Sequence, residues 1–307
     1  MRKLSITVST DMAGRRVKSI LRRELGMGDG YIARLKTRPG GMLLNGLPCR
    51  SVDKVAEGDV LLVEVGDPKS AADTVPADVP LDIVYEDPDC VVVNKAAGMA
   101  CHGARDRGEP TLAAALAHRY GPESAYHPVS RLDKGTSGLC CSARSGYAHS
   151  LFMKALHTED YRREYLLVCS PPPPEKSGRI DLPIAREEGS AIKRRVSPEG
   201  APSVTEYEVL SAQNGLALVR ARLRTGRTHQ IRVHFAAIGC PLVGDWLYGS
   251  ASERIARPAL HSAFLSMRQP VGGEKLSFTA PLPEDMAALA PGFAAAAEKA
   301  FSKGDPV

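Results

Sequence analysis

Apolar residues recur at helical spacing near the start of the chain. In RRVKSILRREL they fall at steps of three and four residues, so they would share one face of a helix. These positions are Val17, Ile20, Leu21 and Leu25. GYIARLKTRPGG predicts a second short helix that ends at Pro39-Gly40-Gly41, because proline and glycine do not continue a helix. The pattern therefore predicts two consecutive helices.

Two turn signals follow these helices. Asn45-Gly46 stands between apolar residues in GMLLNGLP, which is typical of a two-residue β-hairpin. AEGDVLLVEV predicts a closing strand after the turn at Gly58-Asp59. Residues 1–66 are thus predicted to form a small α/β domain. The next stretch, DPKSAADTVPADVP, is rich in proline, alanine and aspartate and has no apolar period, so residues 67–80 are predicted to be a linker.

Strand patterns dominate residues 81–307. LDIVYEDPDCVVVNKAAG predicts two strands around Asp87-Pro88, and VTEYEVLSAQNGLALVRARLRTG predicts two more around Asn214-Gly215. EYLLVCS and KLSFTAPLP are further predicted strands. LAAALAHRY, SGYAHSLFMKALHT and FAAAAEKAFSK predict helices, the second with an apolar stripe at Leu151, Met153 and Leu156. Adjacent strands with few helices favour an α+β fold with a mixed, mostly antiparallel sheet.

Composition permits a nucleic-acid partner without requiring one. The chain has 307 residues, with 40 Lys and Arg against 35 Asp and Glu, a net charge of +5 and a pI near 8.8. The cations concentrate in the two predicted N-terminal helices, where they would suit RNA phosphates as well as a solvated surface. Among them are Arg15, Arg16, Arg22 and Lys36.

Cysteines and apolar runs exclude several classes of protein. The seven cysteines form no CxxC pair, so neither a zinc site nor a disulfide framework is expected. Their odd number favours a reduced, intracellular chain. The N-terminus has no apolar core of signal-peptide length, and no run approaches the ~20 apolar residues of a membrane span. The expected location is the cytoplasm.

The octet RLDKGTSG places one carboxylate, Asp133, between Arg131 and Lys134 and before a glycine-rich turn. No second acid, histidine or cysteine is close by in sequence. Taken alone, Asp133 is more typical of a turn or a salt bridge than of catalysis. By the same reasoning Tyr165, in DYRREYLLV, is more typical of a packed strand residue.

A third stretch, RLRTGRTHQIRVHFAAIGCPLVGDWLYG, is rich in arginine. It is expected to lie on or beside a strand and a glycine turn, with several guanidinium groups aimed at phosphate or a carboxylate. They are Arg222, Arg224, Arg227 and Arg232. His229 and His234 are five residues apart, which does not suit a helical metal pair, so hydrogen bonding or packing is expected of them.

Together these stretches resemble the RluA-type pseudouridine synthases. The resemblance rests on NKAAGMACHG, RLDKGTSGL, TGRTHQIRVHFAAIGCPLVGDWLYG, GAPSVTEYEVL and LHSAFLSMRQP with LSFTAPLP, in that family's order over most of residues 81–290. The N-terminal segment looks like the S-four-like RNA-binding module that often precedes this catalytic domain. Two positions depart from the family pattern: Ser130 replaces the usual histidine before Arg-Leu-Asp, and Ala96 replaces the usual proline after Lys95.

The resemblance implies a role for individual residues. Asp133 would be the catalytic carboxylate, either attacking C1′ or removing a ribose proton, and Arg232 would lie against it. Tyr165 would stack on the flipped uracil, and Leu260 would line the pocket floor. The residues expected to contact RNA are Arg131, Arg227, Arg224, Arg222, Lys95, Arg15, Arg16, Arg22 and Lys36. Isomerisation of uridine involves no redox step or hydrolysis, so no cofactor, metal or second carboxylate is implied.

The expected substrate is RNA, and the N-terminal module favours ribosomal RNA, especially that of the large subunit. Transfer RNA is an alternative substrate. A non-catalytic RNA-binding assembly factor is a second class, although a pure binder would not need Asp133, Tyr165 and Arg232 together. A nucleoside or glycoside hydrolase is a third, although that chemistry generally uses paired carboxylates. A monomer is expected because the chemistry does not require an oligomer.

Overall fold

Residues 2–66 form two helices and a four-stranded antiparallel sheet in the computed structural model, which describes residues 2–66, 74–103, 110–121, 126–156 and 158–302. The sheet order is β1-β4-β2-β3. The elements are β1 (Arg2–Thr7), α1 (Val17–Arg23), α2 (Asp29–Thr37), β2 (Met42–Leu44), β3 (Leu47–Pro48) and β4 (Val60–Val65), with a 3-10 turn at Thr10–Met12. Both predicted helices and the closing strand are confirmed.

The hairpin predicted at Asn45-Gly46 is confirmed by its backbone. Asn45 has φ 52° and Gly46 has φ 82°, both in the left-handed region that a tight two-residue hairpin turn requires. Strand β1 was not predicted. It lies at the start of this unit and pairs with β4, which lies at its end. Of its residues, only Leu4 and Ile6 face the core. So few apolar positions leave little local signal for a strand.

A ten-stranded sheet organises the rest of the chain. Its main path has the order β10-β13-β14-β9-β15-β8-β6-β5, with β16 beside β15 and β7 beside β8. The strands are β5 (Ile83–Glu86), β6 (Cys90–Lys95), β7 (His127–Pro128), β8 (Ser137–Ala143), β9 (Tyr161–Cys169), β10 (Ser177–Asp181), β13 (Val204–Gln213), β14 (Leu216–Leu223), β15 (Leu260–Arg268) and β16 (Lys275–Thr279). Among the described strands only β15 and β8 pair in parallel, so the predicted α+β fold with a mixed, mostly antiparallel sheet is confirmed.

In the part of the chain that the structure describes, five helices and one small hairpin accompany this sheet. The helices are α3 (Leu112–Tyr120), α4 (Gly146–Ala155), α5 (Gln230–Ala237), α6 (Glu284–Ala287) and α7 (Phe293–Ser302). The hairpin pairs β11 (Ile184–Arg186) with β12 (Arg194–Val196). The arginine-rich third stretch was expected on or beside a strand. This is confirmed for Arg222, which lies on β14, and for Arg224 and Arg227, which follow it around Gly226. Arg232 instead lies within α5, where it is buried.

The apolar stripe predicted for α4 packs against two hydrophobic cores. The fully buried face consists of Tyr147, Ala148 and Phe152. Leu151, Met153 and Leu156 are only partly buried. Leu151 packs against the core of the N-terminal unit. Met153 and Leu156 pack against a core of the large sheet and also line a cleft. The helix therefore divides its apolar residues between three surroundings, which a single helical period cannot reveal.

The N-terminal unit packs directly on α4. Tyr147 belongs to the core of that unit, its hydroxyl donates to the Leu25 carbonyl at 2.8 Å, and its ring lies 5.5 Å from that of Tyr31. Lys154 donates to the Gly26 carbonyl. Of the predicted linker, residues 67–73 lie outside the described part, and residues 74–80 contain no helix or strand. The boundaries proposed at 66 and 80 stay predictions.

Candidate active site

Asp133 lies in the loop that leads into β8. The turn after it is closed by the Thr136 amide, which donates to the Asp133 carbonyl at 3.0 Å. Cys101 supports the loop from behind, because its sulfur accepts from the Leu132 amide at 3.3 Å. Cys140, on β8, donates its thiol to the Ser130 carbonyl at 3.3 Å. Buried contacts on both sides of the octet thus fix the backbone that carries the carboxylate.

The Asp133 side chain opens into a cleft of about 620 Å³. This volume lies within the range of ~300–1,000 Å³ that is usual for small-molecule sites. The walls come from the octet loop, β9, the start of β15 and the turn before α5. Lining residues include Arg131, Asp133, Arg163, Tyr165, Arg227, His229 and Leu260. The structure therefore brings three separate sequence motifs to one cavity.

Arg232 lies against Asp133, as the resemblance implied. Its Nη1 is 3.4 Å from Asp133 Oδ2, while Nε and Nη2 donate to the two carboxylate oxygens of Asp245 at 2.7 and 2.8 Å. Asp245 is completely buried. Burial opposes the charge of Arg232, but its hydrogen bonds with Asp245 raise its pKa above the ordinary value. This two-point contact fixes the plane of the guanidinium beside Asp133.

His229 is a second neighbour of Asp133. It has a left-handed backbone conformation, φ 58°, at the N-cap of α5. Its Nε2 lies 3.8 Å from Asp133 Oδ2, and its Nδ1 is 2.8 Å from the Tyr248 hydroxyl. Burial lowers the pKa of the imidazole, so its neutral form predominates near neutral pH. The predicted hydrogen-bonding role is therefore directed to Tyr248, with the imidazole beside the Asp133 carboxylate.

Tyr165 and Leu260 form apolar walls of the cleft. Tyr165 lies on β9 and Leu260 begins β15, and both are almost fully buried. Burial raises the pKa of the Tyr165 hydroxyl, and the positive charge of Arg163 opposes that rise. The phenol therefore stays neutral near neutral pH.

The residues expected to contact RNA differ in their exposure and in their partners. Arg131 and Arg227 are exposed at the cleft. Lys95 does not fit its expected role: it is only 2% exposed, and its ammonium donates to the carbonyls of Ala96 and Met99 at 2.9 and 2.8 Å. This position suits support of the NKAAGM turn rather than a contact with RNA. Burial lowers the pKa of the Lys95 ammonium.

Four further arginines already have carboxylate partners. Arg222 and Arg224 both bind Glu159, and Arg224 also binds Glu206 at 3.0 Å. In the N-terminal unit Arg15 pairs with Asp11, and Arg22 with Asp29. These four would have to exchange partners to bind phosphate, so their expected role in RNA binding is weakened. Arg16 and Lys36 are exposed and have no ion pair within the described residues.

Sequence reasoning assigned no role to Asp245, Tyr248 or Arg163. The first two lie in GDWLYG, at the end of the third stretch, and Arg163 lies in DYRREYLLV. Their only sequence signal was membership of those motifs. Within the described residues no three His, Cys, Asp or Glu side chains form a group suited to a metal ion. No described helix is long and apolar enough to cross a membrane.

Comparison with known proteins gives this site a class. Residues 89–237 match the family model of RNA pseudouridylate synthases. The protein named uncharacterized RNA pseudouridine synthase YjbO, from Bacillus subtilis, is 36% identical over 272 residues, which cover 88% of this chain and 96% of that relative. Ribosomal large subunit pseudouridine synthase D of Vibrio parahaemolyticus is 38% identical over 230 residues, covering 69% of this chain and 70% of that relative.

A solved structure agrees with these relatives. Human RNA pseudouridylate synthase domain containing 1 superposes with a TM-score of 0.56 at 28% identity, covering 72% of this chain and 89% of that one. Fold and sequence together define an RNA-modifying isomerase. The chain belongs to the RNA pseudouridine synthase family and is of the RluA type.

Proposed function

We propose that this pseudouridine synthase acts on large-subunit ribosomal RNA and that Asp133 is its catalytic carboxylate. The observation that carries the assignment is the contact between Asp133, which lines a cleft of about 620 Å³, and the guanidinium of Arg232, which Asp245 holds in place. The name of the Vibrio relative supports the ribosomal substrate. Transfer RNA is the alternative substrate.

The reaction requires the carboxylate of Asp133 to be ionised. The N1–C1′ bond of uridine breaks, the base turns over, a C5–C1′ bond forms, C5 loses a proton and N1 gains one. Asp133 acts at the ribose, either by attacking C1′ or by removing a ribose proton. Both routes need the ionised acid, and the Arg232 guanidinium lies 3.4 Å from its Oδ2. A single carboxylate is sufficient because no water is added.

The target base has to leave its helix before it can enter the cleft. Flipping costs a few kcal/mol. Stacking on an aromatic ring returns about 1–3 kcal/mol per base, and Tyr165 would supply that ring with Leu260 beneath the base. Arg131 and Arg227, exposed at the cleft, would hold the adjoining phosphates.

Residues 1–66 would act as the RNA-binding unit, separated by the linker at 67–80 from the catalytic domain at 81–307. Of the cations expected to contact RNA there, Arg16 and Lys36 are exposed and have no ion pair within the described residues. If phosphates supply most of the affinity, log affinity should fall linearly with log salt concentration. An affinity that does not change with salt would remove this role.

Tritium release tests the catalytic assignment. RNA labelled with tritium at uridine C5, from cells lacking this protein, would be treated with wild type, Asp133→Asn, Arg232→Met and the surface control Asp160→Asn. We expect wild type and the control to release tritium, Asp133→Asn to release none, and Arg232→Met to release little while remaining folded. Turnover by Asp133→Asn would refute the assignment, and near-normal turnover by Arg232→Met would remove that arginine from the site.

The same assay separates the alternatives. Release from the ribosomal fraction supports the proposed substrate, and release only from transfer RNA would replace it. Free uracil among the products would indicate a hydrolase. RNA binding without tritium release from any fraction would indicate a non-catalytic assembly factor.

A further inference from the structure

Arg163 is a buried arginine without a carboxylate partner. It lies on β9 and is 8% exposed, and its guanidinium forms no ion pair or hydrogen bond with any described residue. Its Nε is buried and unpartnered. Its nearest aromatic contact is the ring of Tyr161, 5.7 Å from the guanidinium carbon. An aromatic face attracts a cation but does not neutralise it.

This state is unusual because a buried charge is normally paired and hydrogen-bonded. The other buried arginine of the cleft, Arg232, has two carboxylates. The carboxylate nearest to Arg163 in sequence, Glu164, pairs instead with Arg162 and lies 3.8 Å from Arg220. The described residues therefore leave the charge of Arg163 without a counter-ion, and a bound anion would supply one.

The position of Arg163 indicates where that ligand lies. Arg163 and Tyr165 both line the cleft and lie two residues apart on one strand, so their side chains share a face and start about 6.6 Å apart. The terminal guanidinium nitrogens lie 3.5 Å from where a Cβ on Gly226 would be. Because position 226 is glycine, no side chain covers that side of the guanidinium.

We propose that Arg163 binds a phosphate of the flipped uridine nucleotide while Tyr165 contacts its base. The inference rests on the proposed function, in which Tyr165 stacks on that base. A phosphate fits better than a uracil carbonyl, because only an anion neutralises the charge and because guanidinium matches phosphate with two parallel hydrogen bonds. The phosphates move with the nucleotide when it flips, so one of them enters the cleft with the base.

Mononucleotide binding tests the proposal without requiring turnover. Uridine, uridine 5′-monophosphate and uridine 3′-monophosphate would be titrated into the full chain by calorimetry. We expect wild type to bind one monophosphate about tenfold or more tightly than uridine, as a charged hydrogen-bonded pair would give. Arg163→Met should abolish this preference and leave uridine binding unchanged, and Arg163→Lys should retain part of it. Arg179→Met, an exposed arginine on β10, is the control.

A second arm covers ligands longer than one nucleotide. The trinucleotide UpUpU would be compared with its neutral methylphosphonate analogue on the same variants. The charged form should bind more tightly to wild type, and its log affinity should depend less steeply on log salt in Arg163→Met, by about 0.7. No preference of wild type for the charged ligand in either arm would overturn the proposal, as would a preference that survives Arg163→Met.

Thermal unfolding tests whether Arg163 has only a structural role. Replacing an unpaired buried charge by an apolar side chain of similar length should raise the melting temperature. A large decrease would reveal an internal partner and overturn the proposal. Failure of the proposed function is distinguishable: it would appear as absent tritium release while the phosphate preference is still lost in Arg163→Met.

Discussion

At the scale of single residues, the completely buried Asp245 fixes the orientation of Arg232. Both oxygens of its carboxylate accept from the guanidinium, and Oδ1 also accepts from the amides of Leu247 and Tyr248 at 3.2 and 3.3 Å. These backbone bonds hold the carboxylate in place, and the carboxylate in turn aligns Arg232 with Asp133. Asp245 is thus a positioning residue that does not itself reach the cleft.

Asp245→Asn should lower kcat for tritium release by about 10²-fold, since a misplacement near 1 Å has that effect. KM should change less, because the substitution leaves Tyr165 and the cationic residues, which are proposed to contact RNA, unchanged. A neutral amide cannot accept both guanidinium bonds, so Arg232 is free to tilt. Asp245→Glu, which restores the charge, should recover part of kcat.

Urea unfolding of the same variant supplies the control for stability. Breaking a buried pair costs about 3–5 kcal/mol. Asp160→Asn removes the partner of Arg268 from a pair in which both side chains are about half exposed, and it should cost under about 1 kcal/mol. Wild-type kcat in a folded Asp245→Asn enzyme would show that Arg232 does not need this anchor.

At the scale of secondary-structure elements, the parallel contact between β8 and β15 joins the Asp133 loop to the Leu260 wall. Gly138 makes this contact possible. Its φ is 107°, and a Cβ there would lie 2.2 Å from the carbonyl oxygen of Ser262. A side chain at this position would push the two strands apart.

Gly138→Ala should therefore destabilise the protein by about 3 kcal/mol or more, because strain at positive φ adds to a backbone clash. Gly189→Ala is the matched control. Its φ is 72°, but nothing lies within 4 Å of the added Cβ, so only the conformational cost of about 1–2 kcal/mol should appear. Equal unfolding free energies of the two variants would contradict the clash.

Prediction of elements from sequence succeeded where the pattern was local. Leu112–Tyr120 and the hairpin at Asn214-Gly215 follow from helical spacing and from a turn dipeptide. The strands β1, β7, β8, β10, β11, β12 and β15 were not predicted. Strand β15 is central in the sheet and buried on both faces, so its residues do not alternate. The others are short or depend on a partner strand, which the local sequence does not contain.

At the scale of the whole molecule, the buried His261 links stability to pH. Burial lowers its pKa to about 4 from the ordinary 6.5, and its Nδ1 lies 2.9 Å from the Ser137 hydroxyl. The folded protein keeps this imidazole neutral, whereas the unfolded chain protonates it below pH 6.5. The neutral imidazole therefore contributes fully to the free energy of unfolding above pH 6.5. This contribution, roughly 3 kcal/mol in total, is lost as pH falls towards 4.

His261→Asn should flatten this dependence, because an amide can occupy the Nδ1 position without titrating. Unfolding free energies in urea at pH 7 and pH 5 would be compared with those of wild type and of His118→Asn, an exposed control. We expect His118→Asn to follow wild type. If His261→Asn loses as much unfolding free energy between pH 7 and pH 5 as wild type does, the acid sensitivity belongs to other groups.

The sequence by itself determined the fold class and the family, and it named Asp133, Tyr165, Arg232 and Leu260 as candidate site residues. Turn dipeptides, apolar periods and motifs can be read directly along the chain. The tertiary structure decided which charges remain available. Lys95 is buried and donates to backbone carbonyls, and Arg222 and Arg224 form ion pairs with Glu159. Arg232 is held by its ion pair with Asp245, and Arg163 has no carboxylate partner among the described residues. The physical reason is that pairing and burial depend on contacts between segments far apart in the sequence, which only the folded chain brings together.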